Sequence, residues 1–479
     1  MKQSIILLLA LCNFTTFAQV SKKFREQLHS TVDENAKMLL DKSKANSVSI
    51  GIIKNGQVYT NHFGEIDKGK GNKATNHTFF EIASITKIFT GTLMAKAVLD
   101  GKINLDDDIR KHLDGSCPNL EYQSIPVKIK DLICFKSAFD KELPDNSAIK
   151  KIKNDSTVFL LRKMDENYDK IQFLEGLKTL KLDTIPGIIE KYSNTSLELS
   201  ALILEHVYKK SYESLLYENI FSPLKMDSTK LNLKIDHSIA NGYNGNNELM
   251  PTLFTNLWGA GGCRKSTMND LIKFLAFELD TKNKIVQEMQ RNIPNSDQHW
   301  FGYFWDGILV TENGIMCHKQ GGSYGNQTFF AVYPEQQLGI VIIINQNAEE
   351  TYGNLFNTVL KIADDLKKES QTKSITYGYR LKKDDVIFTY KHPKNLDAKL
   401  IKSISVVGSF NDWNVDKDKF QMTKKGNNTF ELRVPKSTFE QSQKHLFKFV
   451  INKVGWMTTP KNALNIDDTE HRNLVLKME

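Results

Sequence analysis

Cysteine is scarce in this 479-residue sequence, with five in all. Beyond the N-terminal stretch only Cys117, Cys134, Cys263 and Cys317 remain, too widely spread for a metal cluster and too few for a disulfide scaffold. A block of basic residues is also missing. The net charge of +8 is spread along a Lys-rich chain, which reads as solvated surface and argues against a nucleic-acid partner. The N-terminal apolar run, Ile5 to Leu11, falls short of the ~20 residues that cross a bilayer, so no stable membrane span is expected there. What that end does carry is Met1-Lys2, the apolar run, and small and polar residues closing on Thr16-Phe17-Ala18. This is a signal-peptide pattern over residues 1–18, with a mature chain from Gln19 in the periplasm or outside the cell. Lipid attachment at Cys12 is the lesser alternative, because Leu11 is bulky where a lipoprotein signal has a small residue.

The chain is 40% hydrophobic and 25% charged, a soluble globular composition with enough apolar mass for a substantial core. Its length suggests two or three folded units, of which two is the reading taken. Phe24, Leu28, Val32 and Leu39 recur near helical spacing and predict a helix over about Ser21 to Lys44. Val48 to Ile53 and Val58-Tyr59 flank Asn55-Gly56, which suits a tight type I′ hairpin turn. From about Thr78 to Lys230 the pattern is mainly helical. Strand signals return at Thr328 to Tyr333 and Leu338 to Ile344, followed by a helix with Leu355, Val359, Ile362 and Leu366 on one face. A first unit over 19–366 therefore has two sheet-and-helix ends around a helical middle. A polar linker is expected over 367–383, beginning Lys367-Lys368-Glu369-Ser370. From 384 to 479, short strands at Val386 to Tyr390, Ile404 to Val407, Phe430 to Val434, Leu446 to Ile451 and Leu474 to Leu476 predict a small β-sandwich of immunoglobulin-like type.

Ser84-Ile85-Thr86-Lys87 sits at the head of an apparent helix. Residues three apart share a helix face, so the Lys87 amine can reach the Ser84 hydroxyl, and the helix start favours negative charge on an attacking oxygen. Such a spacing alone also recurs by chance on helix surfaces. Two further elements accompany it: Tyr192-Ser193-Asn194, and Lys319-Gln320-Gly321-Gly322 leading into the late strand. Together the three resemble the Ser-x-x-Lys, Tyr-x-Asn and Lys-Thr-Gly set of the class C β-lactamase and penicillin-binding serine hydrolases. The resemblance extends to Gly101-Lys102-Ile103-Asn104-Leu105-Asp106-Asp107, Pro223-Leu224-Lys225-Met226-Asp227, Gly261-Gly262 and Tyr333-Pro334-Glu335. It covers most of residues 30 to 365.

The resemblance implies an α/β (α+β) fold, a mainly antiparallel sheet flanked by helices with an inserted helical domain, and the reactive serine at their junction. It implies no metal and no organic cofactor. Ser84 would attack a carbonyl and become acylated, its proton passing to Tyr192, to Lys87, or to the two as a coupled pair. Lys87 and Lys319 around Tyr192 would favour its phenolate, Asn194 would bond Lys87 and the substrate amide, and Lys319 would attract a substrate carboxylate. The backbone N–H groups of Ser84 and Gly322 would form the oxyanion hole, and Gln320 and Gly321 would border the substrate. The substrate would be a β-lactam, a peptide ending in D-alanine or a small ester. Gln320 departs from the family's Thr at a position that helps bind a substrate carboxylate. Phe135-Lys136-Ser137-Ala138 and Ser196 also depart from the common turn residues. His318 reads as structural.

Val406-Val407-Gly408-Ser409-Phe410-Asn411-Asp412-Trp413, with Phe447-Lys448-Phe449, Gly455-Trp456 and Asn473-Leu474-Val475, resembles a second family, the glycogen-binding modules of starch-active enzymes and AMP-activated kinase. That resemblance implies a platform of Trp413, Lys448, Trp456 and Asn473 for a glucan or another envelope polysaccharide, since aromatic faces stack on sugar rings. The alternative for this unit is a structural or docking module whose Trp413 packs its core, and for the whole chain a non-catalytic glycan-binding protein on a hydrolase scaffold.

Overall fold

A computed structural model describes residues 22–478, apart from 116, 153, 155, 234–238, 295–298, 368–375, 392–400, 427, 441–443, 458, 461–462, 464, 468 and 470. The expected signal segment, Cys12 and part of the expected linker lie outside the described residues. The chain divides into two compact units, Met1–Leu366 and Lys367–Glu479.

In the first unit, helix α1 (Lys22–Ser43) leads into β1 (Ser47–Lys54) and β2 (Gln57–Gly64). Asn55 and Gly56 join the two strands with φ of 49° and 77°, the pair of positive angles that a type I′ turn requires. The helical middle includes α2 (Thr86–Leu99), α3 (Ser156–Glu166), α4 (Lys170–Thr179) and α5 (Asn194–Tyr208), followed by α6 (Met268–Glu278). The chain then returns to the sheet through β3 (His299–Trp300), β4 (Gly307–Thr311), β5 (Gly314–Gly322), β6 (Gln327–Tyr333) and β7 (Leu338–Ile344), and ends in α7 (Thr351–Lys367). Every pairing in the seven-stranded sheet is antiparallel, in the order β2-β1-β7-β6-β5-β4-β3.

Both faces of the central strands are covered, which explains why Leu338 to Ile344 is an unbroken apolar run rather than an alternating one. Ile340 and Ile342 pack with Leu28 and Val32 of α1 and with Leu355 and Val359 of α7. Val341 and Ile343 pack on the opposite face, with Leu271 and Phe274 of α6 and the helical middle. Each fully buried aliphatic side chain contributes about 1.5–3 kcal/mol relative to exposure, so the two clusters fix the sheet between its helices. The expected order of sheet, helices and sheet is the one observed.

The second unit contains two antiparallel sheets. One joins β8 (Tyr379–Leu381), β9 (Asp385–Lys391), β11 (Thr423–Lys424) and β12 (Thr429–Pro435) in the order β8-β9-β12-β11. The other joins β10 (Ile404–Gly408), β13 (His445–Ile451) and β14 (Gly455–Trp456), with β15 (Leu474–Leu476) also on β13. Phe388, Tyr390, Val406, Phe430, Phe447 and Phe449 form their common core. The sandwich starts earlier than expected. Tyr379 lies in β8 and packs edge-on against Phe447 at 6.1 Å, so residues assigned from sequence to a linker ending at 383 bury apolar surface in this core instead.

Candidate active site

Ser84 lies in a short 3₁₀ turn, Ala83–Ile85, that runs directly into α2. The preceding residue, Ala83, has φ of 41°, a left-handed conformation that a Cβ disfavours. Two contacts hold the turn there. Ile82 N–H donates to the Arg264 carbonyl at 3.1 Å, and Gly321 of β5 packs against the turn. A Cβ at 321 would overlap the Ile82 carbonyl oxygen and sit 3.1 Å from the Ser84 nitrogen, so only glycine lets the strand approach this closely.

The next turn of α2 presents Lys87, fully buried, with Nζ 3.1 Å from Ser84 Oγ. Nζ also donates to Asn194 Oδ1 at 2.6 Å and to the Gly261 carbonyl. Asn194 opens α5, whose start is fixed by two caps: Ser193 accepts the Ser196 N–H, and Glu142 accepts the Thr195 N–H at 2.8 Å. Two residues upstream, Tyr192 places its hydroxyl 2.6 Å from Ser84 Oγ. Its ring stacks on Phe135 at 4.9 Å and 23°, so the aromatic residue that departs from the family's turn supports the phenol.

Alternation along β5 turns Cys317, Lys319 and Gly321 toward the helical middle, while Met316, His318 and Gln320 face α1 and α7. Lys319 is fully buried, 5.0 Å from the Tyr192 ring centroid and 5.2 Å from that of Phe135. Its ammonium contacts Asp306 Oδ1. The other Asp306 oxygen accepts the Gln320 N–H at 2.7 Å, and the Asp306 N–H donates to the His318 carbonyl at 3.0 Å. Residues 318, 320 and 322 point their backbone groups to this same strand edge, so the Gly322 N–H projects beyond the end of β4. Gly322 lines the cleft that also holds Ser84, Asn194, Gly261 and Glu198, a cavity of about 380 Å³.

Electrostatics separate the candidate bases. Burial and then the neighbouring Lys319 charge lower the Lys87 pKa to about 7, against the opposing pull of Asp306, Glu142 and Glu198. For Tyr192 the shift goes the other way. Desolvation, with Asp306 and Glu142 nearby, raises its pKa above the ordinary tyrosine value despite the Ser84 hydrogen bond.

Three sequence expectations need correction. Tyr192 is held as a neutral phenol rather than a phenolate, because desolvation, with Asp306 and Glu142 adding to it, raises its pKa and outweighs the Ser84 hydrogen bond. Lys319 is not open to a substrate carboxylate, because its side chain has 0% exposure and its charge is matched by Asp306. The Gln320 side chain shares the sheet face of Phe329, across the strand from Ser84, and donates to Gln327 Oε1. His318, by contrast, is structural as expected: it stacks on Phe329 at 5.6 Å and burial lowers its pKa to about 4. The four described cysteines are free.

Sequence reasoning missed Asp306, Glu142 and Glu198. Glu198 carried a signal, since it lies one helical turn beyond Asn194 on the same face, where it accepts the Gly261 N–H at 3.0 Å. Asp306 carried only the Trp305-Asp306-Gly307 turn ahead of β4.

In the second unit, Trp413 and Trp456 lie 6.3 Å apart at 38°, with Trp456 half exposed. Trp456 pairs with Val450, which shares the outer face of β13 with Lys448. Asn473 is 8% exposed and donates to Asp467 Oδ2 at 2.9 Å, so its amide belongs to a local loop bond rather than to an open platform.

A hydroxyl between a low-pKa amine and a phenol, at the junction of an antiparallel sheet and a helical region, is the chemical arrangement of a serine hydrolase. The beta-lactamase family model matches residues 32–363, and the chain belongs to that family. It is 30% identical over 330 residues to Protein flp of Staphylococcus aureus (strain N315), a match covering 65% of this chain and 61% of that relative's length. It is 23% identical to a beta-lactamase of Yersinia enterocolitica, over 72% of this chain and 95% of that protein. The crystal structure of a beta-lactamase/D-alanine carboxypeptidase from Yersinia pestis complexed with citrate is similar in fold, with a TM-score of 0.60 at 22% identity, covering 71% of this chain and 99% of that one.

Proposed function

We propose that the protein is an exported serine hydrolase of the class C β-lactamase type that cleaves an ester or amide through an acyl-Ser84 intermediate. The observation that carries this reading is the placement of Ser84 Oγ within hydrogen-bond reach of both Lys87 Nζ and Tyr192 Oη. Protonated Lys87 donates to three oxygens. Once neutral, it keeps its two N–H groups on the Asn194 and Gly261 oxygens, which can only accept, and its lone pair faces the Ser84 hydroxyl. Lys87 is therefore the base and Tyr192 the relay. Ser84 Oγ bonds to the carbonyl carbon as its proton passes to Lys87, with the N–H groups of Ser84 and Gly322 receiving the oxyanion. The bond to the leaving group then breaks, and that group takes a proton from Lys87 through the Tyr192 hydroxyl. Water then bonds to the acyl carbon as its proton passes to Lys87 through the Tyr192 hydroxyl, the bond from that carbon to Ser84 Oγ breaks, and Lys87 returns the proton to Oγ.

Covalent labelling by a fluorescent penicillin and by a fluorophosphonate tests the reading, with the mass increment expected on the peptide that contains Ser84. Turnover of a cephalosporin, a D-alanyl peptide and a p-nitrophenyl ester then ranks the substrate classes. Gly321→Ala should destabilise the fold by about 1–3 kcal/mol through overpacking and slow the labelling, measured by thermal melting and labelling rate. Unchanged values for both would contradict the packing described for the nucleophile turn.

The Met1-Lys2 start, the Ile5 to Leu11 run and Ala18 support export to the periplasm or beyond. For the second unit we propose carbohydrate binding on the face carrying Trp413, Trp456 and Lys448. The packed tryptophan pair, with Trp456 half exposed, supports it. Retention of the full chain on immobilised glucan should be lost in Trp413→Ala and in Trp456→Ala while hydrolysis of a soluble substrate is unchanged. Equal retention of the variants and the parent would contradict it.

A further inference from the structure

A substrate carboxylate held beside Ser84 is favoured by a cation that it can touch, and neither nearby lysine offers one. Lys87 and Lys319 are both fully buried. Lys319 is closed off by Asp306, which is the partly exposed member of that ion pair, at 22% against 0%. From the solvent side the pair therefore presents a carboxylate. Asp306 also accepts the Gln320 N–H on the open edge of β5, so an incoming carboxylate meets a like charge where a backbone donor would otherwise stand. The cleft that Ser84 lines adds Glu142 and Asp165, with Lys150 the one cation among its described lining residues. Leu161, Met164, Phe254 and Leu257 supply apolar wall in the same cleft.

We propose that this site takes acyl donors without a carboxylate beside the scissile bond, namely neutral or cationic esters and amides, and that Asp306 determines this selectivity. The inference rests on the reading of Ser84 as the nucleophile. It separates the candidate substrates by charge, placing β-lactams and peptides with a free C-terminal carboxylate behind neutral acyl compounds of similar size.

A matched pair tests it: phenylacetylglycyl thioglycolate as the free acid and as its methylamide, followed by thiol release. The wild-type protein should show a kcat/KM at least tenfold higher for the methylamide, and Asp306→Asn should shift that ratio at least tenfold toward the acid. Preference of the wild-type protein for the acid would overturn the inference. So would an Asp306→Asn variant that slows both substrates equally, since Asp306 would then only hold Lys319 in place. Should the variant fail to fold, the wild-type ratio between low and 0.5 M salt replaces it: screening should speed the acid selectively, and an unchanged ratio would count against the role of Asp306. Where turnover is slow, the two compounds are compared as competitors of fluorophosphonate labelling. Absence of any labelling at Ser84 is a different result, which removes the nucleophile reading itself.

Discussion

Ser84→Ala should abolish covalent labelling and lower hydrolysis by about 10⁴-fold or more, while leaving the melting temperature within a few degrees of the parent. The substitution removes one oxygen at the mouth of a cleft. Ile85, Ile88, Phe89 and Leu93, which anchor this turn and α2 in the core, are untouched. Lys87 retains its two carbonyl partners, and Tyr192, whose residue surface is 48% exposed, can bond water instead of Ser84. Loss of reactivity with the fold retained separates a nucleophile from a structural hydroxyl. Intact-protein mass after labelling and a thermal melt read the two quantities on the same samples.

The second large effect concerns Lys87. A base works only when deprotonated, and with a pKa of about 7 the fraction of neutral Lys87 rises as pH increases through neutrality. The acylation rate of the wild-type protein should therefore climb about tenfold per pH unit below 7 and level off above it. Lys87→Met keeps an unbranched side chain in the buried channel but removes the lone pair. It should cost about 10²–10⁴-fold in acylation rate and erase the inflection near neutrality. A variant that kept the inflection would place the titrating group elsewhere. Tyr192 is a poor candidate for that role, because its pKa is raised and its deprotonation would fall on the alkaline side.

How far the site could be read in advance differs residue by residue. Ser84 and Lys87 were legible together because a three-residue spacing on consecutive turns is a local geometric fact. Tyr192 and Asn194 are more than a hundred residues further along, so only their resemblance to a known constellation connected them to Ser84. Lys319 was legible as part of a motif, but its environment was not. Its partner Asp306 belongs to no motif, and it reaches the lysine because β4 begins opposite His318, one residue before Lys319 on β5. The misreading of Gln320 had a remedy in the sequence: strand alternation groups it with Met316 and His318 rather than with Lys319. In the fold, the buried run at β7 and the amphipathic α7 were plain. The small β8 strand was missed because Tyr379 to Leu381 is too short to show a period, and its burial comes from a core contributed by distant strands.

The most direct test of the account is to mix the protein with a p-nitrophenyl ester, quench in acid within the first turnover, and map the adduct by peptide mass. A burst of one p-nitrophenol per chain, with the acyl increment on the serine-84 peptide, is the predicted result. An adduct on another residue, or the same adduct in Ser84→Ala protein, would contradict it.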